Sequence, residues 1–284
     1  MSLVIAVVGA SGVYGRHLVP RLIARGHRVR ALVRRPENAA PLAYGGAEVR
    51  VADIFDPGSL RVAFAGCDAV VNLATSVPRP GQTPDFALND RIRREGTSAV
   101  IAACSDAGID RIVQQSIAMI HAGSGDSWID ESSAVRPTPI TQSAVDMEAL
   151  VTASDRQWII LRGCLFYGPG TGREDDWFAR AAAGTLKIPG DGNDFASFIH
   201  VADMAEATAA AVERAAPRST FLVGDDHPCP WRDLLSCAAL MVRAAAPPLG
   251  GPVTLPSFRA SNRRLREALD WAPRYPNVQT GLAR

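Results

Sequence analysis

Lysine is almost missing from this 284-residue chain: Lys187 stands alone, and the remainder of the 30 Lys and Arg residues are arginine. Any chemistry that needs an ammonium group therefore uses Lys187 or does without one. The five cysteines (67, 104, 164, 229 and 237) form no C-x-x-C pair and no regular ladder, which excludes a disulfide framework and predicts small buried thiols in a reduced compartment. The five histidines make no metal-binding constellation with them. The first apolar run, Leu3 to Val8, is too short for a signal peptide or a membrane span, so a cytoplasmic protein with no membrane partner is expected. At net charge +1 no basic block is dense enough to make nucleic acid the main partner. Internal repeats and low-complexity segments are absent too.

What is present reads as an ordinary globular protein, 47% hydrophobic and 21% charged, long enough for a nucleotide domain with a smaller lobe. Leu3 to Val8 is a strand buried on both faces, as in a parallel sheet. Further strands are predicted over Arg28–Val33, Glu48–Val51, Ala69–Leu73, Arg111–Gln115 and Trp158–Leu161, and helices over Val13–Arg25, Asp85–Ala107 and Thr141–Ala153. This alternation predicts an α/β fold with a Rossmann-type doubly wound parallel sheet, with ligands at the carboxyl edge of its strands. Beyond Arg162 Gly and Pro become frequent, so residues 1–162 are expected to form the nucleotide-binding core and 163–284 mainly a substrate-binding lobe, with about 195–223 returning to the core.

Gly9, Gly12 and Gly15 follow the first strand and open a helix. One glycine makes the tight turn, one admits a pyrophosphate to the backbone, and one lets the helix pack on the strand. The helix start offers free N–H groups and a positive dipole end to phosphates. Sites of this type that take NAD carry an acid at the end of the second strand for the ribose 2′-hydroxyl. Here that position reads Arg34-Arg35, and paired guanidinium groups suit a 2′-phosphate, so the expected cofactor is NADP(H).

These residues, together with Asp53-Ile54, Asn72-Leu73-Ala74, the Gly96-Thr97 helix, Leu161 to Gly170, Phe198-Ile199-His200-Val201 and Ser261 to Pro276, resemble the extended short-chain dehydrogenase/reductase family along nearly the whole chain. The resemblance implies cofactor contacts at Gly9, Ser11, Gly12, Val13, Tyr14, Gly15, Arg34, Arg35, Asp53, Ile54, Leu73, Ala74, Thr75, Ser116, Gly163, Leu165 and Phe166, with Gly163 standing where proline is usual. It also implies a homodimer paired through the helices at Asp85–Ala107 and Thr141–Ala153.

One departure outweighs this agreement. The family's reaction uses Tyr-x-x-x-Lys, the tyrosine handling a proton while the lysine lowers its pKa. In this chain Ile140 and Ala144 occupy those positions, and none of the four tyrosines has a lysine four residues later. Ile117 falls where the companion catalytic hydroxyl aligns, with Ser116 beside it. Candidates for the proton chemistry are Ser116, Tyr167 in the block beside the nicotinamide, and His121, whose side chain titrates in the right range. Asp130 and Glu131 read as a solvated edge, and Asp203 as the cap of the following helix. Three readings stay open: an NADPH-dependent reductase with a non-standard acid or a C=C or C=N acceptor, a non-redox enzyme such as a cyclase, dehydratase or isomerase, and a non-catalytic regulator. Persistence of the Leu161 to Gly170 block favours the reductase. Trp177, Phe178, Trp231 and Phe258 in the lobe favour a small apolar or aromatic substrate.

Overall fold

The computed structural model describes residues 2–77, 83, 85–121 and 123–283. Strands β1 (Val4–Val8), β2 (Arg28–Val33), β3 (Glu48–Val51), β4 (Ala69–Asn72), β5 (Arg111–Ile117), β6 (Gln157–Gly163) and β7 (Ser219–Val223) form one sheet in the order β7-β6-β5-β4-β1-β2-β3. Every pairing in it is parallel. The chain direction across the sheet reverses between β1 and β4, which opens a crevice at their carboxyl ends.

The period of two in each strand divides the apolar side chains between two cores. Ile5, Val7, Val29, Ala31, Val71, Val113 and Ile159 face the layer of the first helix, Val13–Ala24, and of Val201–Arg214. Ala6, Val8, Leu32, Val70 and Ile112 face the opposite layer, built from Pro57–Phe64 and Thr97–Asp106. Both faces are dry across the central strands, where the apolar runs of β1, β4 and β6 were the readable signal; the edge strand β3 leaves Arg50 and Val51 exposed, and the other edge strand, β7, was not expected as a strand.

The stretch expected as one helix over Asp85–Ala107 runs as Phe86–Arg91, a π-turn at Ile92–Gly96, and Thr97–Asp106. Asp85 caps it by accepting from the Leu88 amide at 2.9 Å. The π-turn brings Gly96 against Ile54, where a Cβ would lie 2.9 Å from Cδ1. Beyond β6 the lobe is made of short ladders: Leu165–Tyr167 with Phe198–His200, Phe195–Ala196 with Cys229–Pro230, and Trp128–Ile129 with Arg259–Ala260. Val201–Arg214 and β7 return to the core layers. Asp203 does not cap that helix. His200 does, through Nδ1, and Asp203 is buried with its carboxylate accepting from the Tyr275 amide at 2.8 Å.

Gly15 shows how closely the first helix sits on the turn that follows β1. A Cβ there would lie 2.4 Å from the Ala10 carbonyl oxygen. Overpacking costs typically about 1–3 kcal/mol, and a backbone clash belongs at the upper end, against about 1 kcal/mol gained in helix propensity. Gly15→Ala is expected to lose about 2 kcal/mol in urea unfolding, with an unchanged denaturant slope.

Candidate active site

A cavity of about 1010 Å³ runs along the carboxyl edge of the sheet and under the lobe. Every residue expected at the cofactor, from Gly9 to Phe166, lines it. Gly9 turns the chain with φ +79°, and a Cβ on it would meet the backbone of Leu73 and Ala74 at 3.1 Å. The helix that follows has no side-chain cap and no acidic residue in its first turn, so its leading amides are open to an anion. At the strand ends the loop is held by two buried asparagines. Asn72 Oδ1 accepts from the Ala74 amide at 3.2 Å, and Asn89 Oδ1 from the Ser76 amide at 2.9 Å. Arg34 and Arg35 are exposed at the far end of the cavity and form no ion pair among the described residues. Asp53 accepts from the Phe55 amide at 2.9 Å, with Ile54 and Ile92 beside it on the wall. The residues present therefore fit a dinucleotide: a glycine cradle that side chains would fill, an uncapped helix start, and two unpaired arginines.

At the other side of β1 and β4 lies a buried polar chain. Ser116 is 2% exposed, lines the cavity, and donates its hydroxyl hydrogen to Glu148 Oε1 at 2.6 Å. Arg162, the cross-strand partner of Ser116, holds the same carboxylate with Nε at 3.0 and 3.2 Å and Nη2 at 2.6 Å. Its Nη1 lies 2.9 Å from His121 Nε2. A guanidinium only donates, so Nε2 accepts, the imidazole proton sits on Nδ1, and that nitrogen donates to the Ala134 carbonyl at 3.2 Å. Burial, and next to it the Arg162 charge against the Ala134 bond, leaves His121 below its ordinary pKa and neutral.

Two of the three expected proton carriers are thereby corrected. His121 is 1% exposed, spends both ring nitrogens on protein partners, and is not on the cavity wall. Tyr167 is also 1% exposed and points away from the cavity, edge-on to Phe198 and His200, with its hydroxyl 3.5 Å from the Asn277 carbonyl. Burial raises its pKa. Leu165 and Phe166, its strand neighbours, do line the cavity. Of the three, Ser116 alone reaches it. The family Tyr and Lys positions have left the wall as well: Ile140 is 53% exposed and Ala144 is fully buried. Glu131 accepts from the Leu222 amide at 2.7 Å and Asp130 closes its own turn with Ser132, so neither rims the cavity.

Tyr14 adds no free phenol. Its hydroxyl bonds Thr208, burial raises its pKa, and its ring stands edge-on to Phe166 with centroids 5.4 Å apart. Gly163 sits under the Phe166 ring, where a Cβ would come 2.7 Å from Cε1 and the ring would have to shift. The lobe end is walled by Trp177, Trp231, Leu235 and Leu255, with Arg173, Arg180 and Lys187 among them. Phe178 and Phe258 belong to the lobe interior instead. Sequence reasoning missed Glu148, Arg162 and Arg173 as site groups.

The sheet order, the glycine turn and the cavity along the switch point define a dinucleotide-binding Rossmann protein. Residues 9–215 match the NAD(P)H-binding protein family. A 3-diazoavenalumate denitrifying reductase from Streptomyces sp. is 36% identical over 99% of both chains. Cinnamoyl-CoA reductase 1 from Oryza sativa subsp. japonica is 30% identical over 77% of this chain and 70% of its own. The solved structure of MoeE5 in complex with UDP-glucuronic acid and NAD superposes with a TM-score of 0.84 at 25% identity, covering 98% of this chain and 96% of that one. The chain belongs to the NAD(P)-binding short-chain dehydrogenase/reductase family, epimerase/dehydratase-like in fold, and it uses a nicotinamide cofactor. No helix among the described residues is long and apolar enough to cross a membrane.

Glu148→Ala would leave Arg162 buried and unpaired, and the expected loss is about 3–5 kcal/mol in denaturant unfolding. His121 gives a pH signature. Its folded pKa lies below the unfolded value near ~6.5, so protons bind only the unfolded chain as pH falls through that value. Measured against His121→Asn, the wild type should lose extra stability from pH 7 towards 5, by up to about 1.4 kcal/mol per pH unit; His200, lowered to about 4, and Asp225, raised to about 8 by burial, act in both chains alike and cancel in the difference.

Proposed function

We propose that this chain is an NADP(H)-dependent reductase acting on a small aromatic metabolite whose reduction needs no proton from the protein. The observation that carries the reading is the Ser116 hydroxyl hydrogen, committed at 2.6 Å to the carboxylate that Arg162 also holds. Ser116 accordingly turns lone pairs, not a proton, to the cavity. The carboxylate cannot release that hydrogen bond cheaply, because Arg162 fixes it in place through three contacts of 2.6 to 3.2 Å. Among the described lining residues there is no histidine, and the one tyrosine is bonded to Thr208. A carbonyl acceptor would develop an alkoxide with no acid beside it. An electron-poor or cationic acceptor has no such need, and a Ser116 lone pair favours positive charge there.

When bound, the reduced nicotinamide supplies hydride, and an arenediazonium balances with that hydride alone: the C–N bond breaks, dinitrogen leaves, a C–H bond stands in its place, and no external proton is consumed. The relationship to a reductase named for a diazo substrate, at 36% identity over 99% of the chain, supports this acceptor class. Gly9, Gly12 and Gly15 with the helix amides would hold the pyrophosphate, Arg34 and Arg35 the 2′-phosphate, and Asp53 with Ile54 the adenosine end.

Mixing the protein, NADPH and an arenediazonium should consume the cofactor and release one dinitrogen per NADPH, while a matched aryl ketone stays unreduced. Reduction of the ketone at a comparable rate would overturn the reading. Tyr167→Phe should leave turnover within about twofold, since the phenol is outside the cavity, and Ser116→Ala should lower it roughly tenfold. Arg34→Ser with Arg35→Ser should weaken NADPH binding by about 2–3 kcal/mol and leave NADH binding nearly unchanged, read by cofactor fluorescence titration.

A further inference from the structure

We infer that the lobe end of the cavity is an anion-and-ring site, with Arg173 as the anchor of a carboxylate carried by the aromatic substrate. The inference deepens the reductase reading and rests on it for the word substrate. Helix Arg173–Ala182 presents Arg173, Asp176, Trp177 and Arg180 to the cavity, at i, i+3, i+4 and i+7. One helix face thus carries a guanidinium and an indole one turn apart.

Arg173 is fixed but incomplete. Its Nε donates to the Phe166 carbonyl at 2.8 Å, which orients the fork. It forms no ion pair among the described residues, while both nearby acids are engaged elsewhere. Glu174 accepts from Thr171 at 2.9 Å, and Asp176 pairs with Arg180 at 3.5 Å. Burial, the largest influence, pulls the Arg173 pKa down, and Glu174 and Asp176 raise it only in part. A guanidinium stays charged in proteins nonetheless, so a cation with unused donors stands in a poorly hydrated wall. Its planar fork matches a carboxylate in two-point contact.

The rest of this end fits the same ligand. Lys187, the only lysine in the chain, lines it too, so three cations face one carboxylate there, Asp176. Trp177 and Trp231 stand edge-on with centroids 6.4 Å apart, and Leu186, Pro189, Leu235 and Leu255 complete an apolar slot. A flat ring bearing a carboxylate meets both the slot and the fork.

The test is calorimetric titration of the NADP⁺-saturated protein with 4-hydroxycinnamate and, separately, with its methyl ester. The acid should bind at least about tenfold tighter than the ester, as expected for a charge-assisted fork. Arg173→Met should lose at least about tenfold for the acid, little for the ester, and nothing measurable for NADPH. Lys187→Met should weaken the acid less than Arg173→Met does. Equal binding of acid and ester, or binding of neither, would overturn the proposal. A fall in NADPH affinity as large as the fall for the acid would also overturn it, assigning Arg173 to a cofactor phosphate. The acid-to-ester ratio of the wild type stands even if Arg173→Met fails to fold. It is read without turnover, so loss of the reductase reading in the diazonium assay and loss of this one are separate results.

Discussion

The ion pair between Arg162 and Glu148 sets the terms for the rest of the site. Taking two charges out of water costs several kcal/mol for each ion, and only filled coordination makes that tolerable. Here the carboxylate receives three contacts from Arg162 and one from Ser116, and the guanidinium spends its last fork arm on His121. Two strand ends, one helix and one short turn are therefore locked into a single arrangement. The serine hydrogen, the histidine tautomer and the position of the acid are all decided by partners within the protein, before any ligand arrives.

On the proposed reading, that arrangement supports a different chemistry from the family's usual one on the same scaffold. The cofactor half keeps each device of a nucleotide cradle: the turn at Gly9, the close packing at Gly15, the uncapped helix start and the paired arginines. The proton half is dismantled, with Ile140 out in solvent and Ala144 packed inside. The cavity instead carries an acceptor oxygen at one end and a cationic, aromatic slot at the other, and the proposed substrate would lie between them. An anionic ring carrying an electron-poor group satisfies both, the charge held at the lobe and the reacting atom near Ser116.

Much of the fold was legible because parallel strands buried on both faces cannot hide their composition. β2 and β3 fall on the expected residues, and β5 and β6 extend only at their ends. The π-turn at Ile92–Gly96 was not legible, since it arises from packing Gly96 against Ile54, far off in sequence. The cavity wall around Gly9 to Phe166 was readable residue by residue because its motifs are local. The polar chain was not, as Ser116 meets an acid 32 residues away whose own partner is 14 further on. Tyr167 was misplaced for a related reason: a matching block says which residues are near the cavity and not which side of a short strand each one faces. Arg173 could have been found. Its spacing to Trp177 and Arg180 is that of one helix face.

The central claim is that hydride arrives without a proton from the protein, and its most direct measurement is the rate of arenediazonium reduction in H₂O and in D₂O. The account predicts equal rates in the two solvents, together with slowing when NADPH carries deuterium at the transferred position. Slowing in D₂O, with no effect of the cofactor deuterium, would contradict it by placing a proton rather than the hydride in the limiting step.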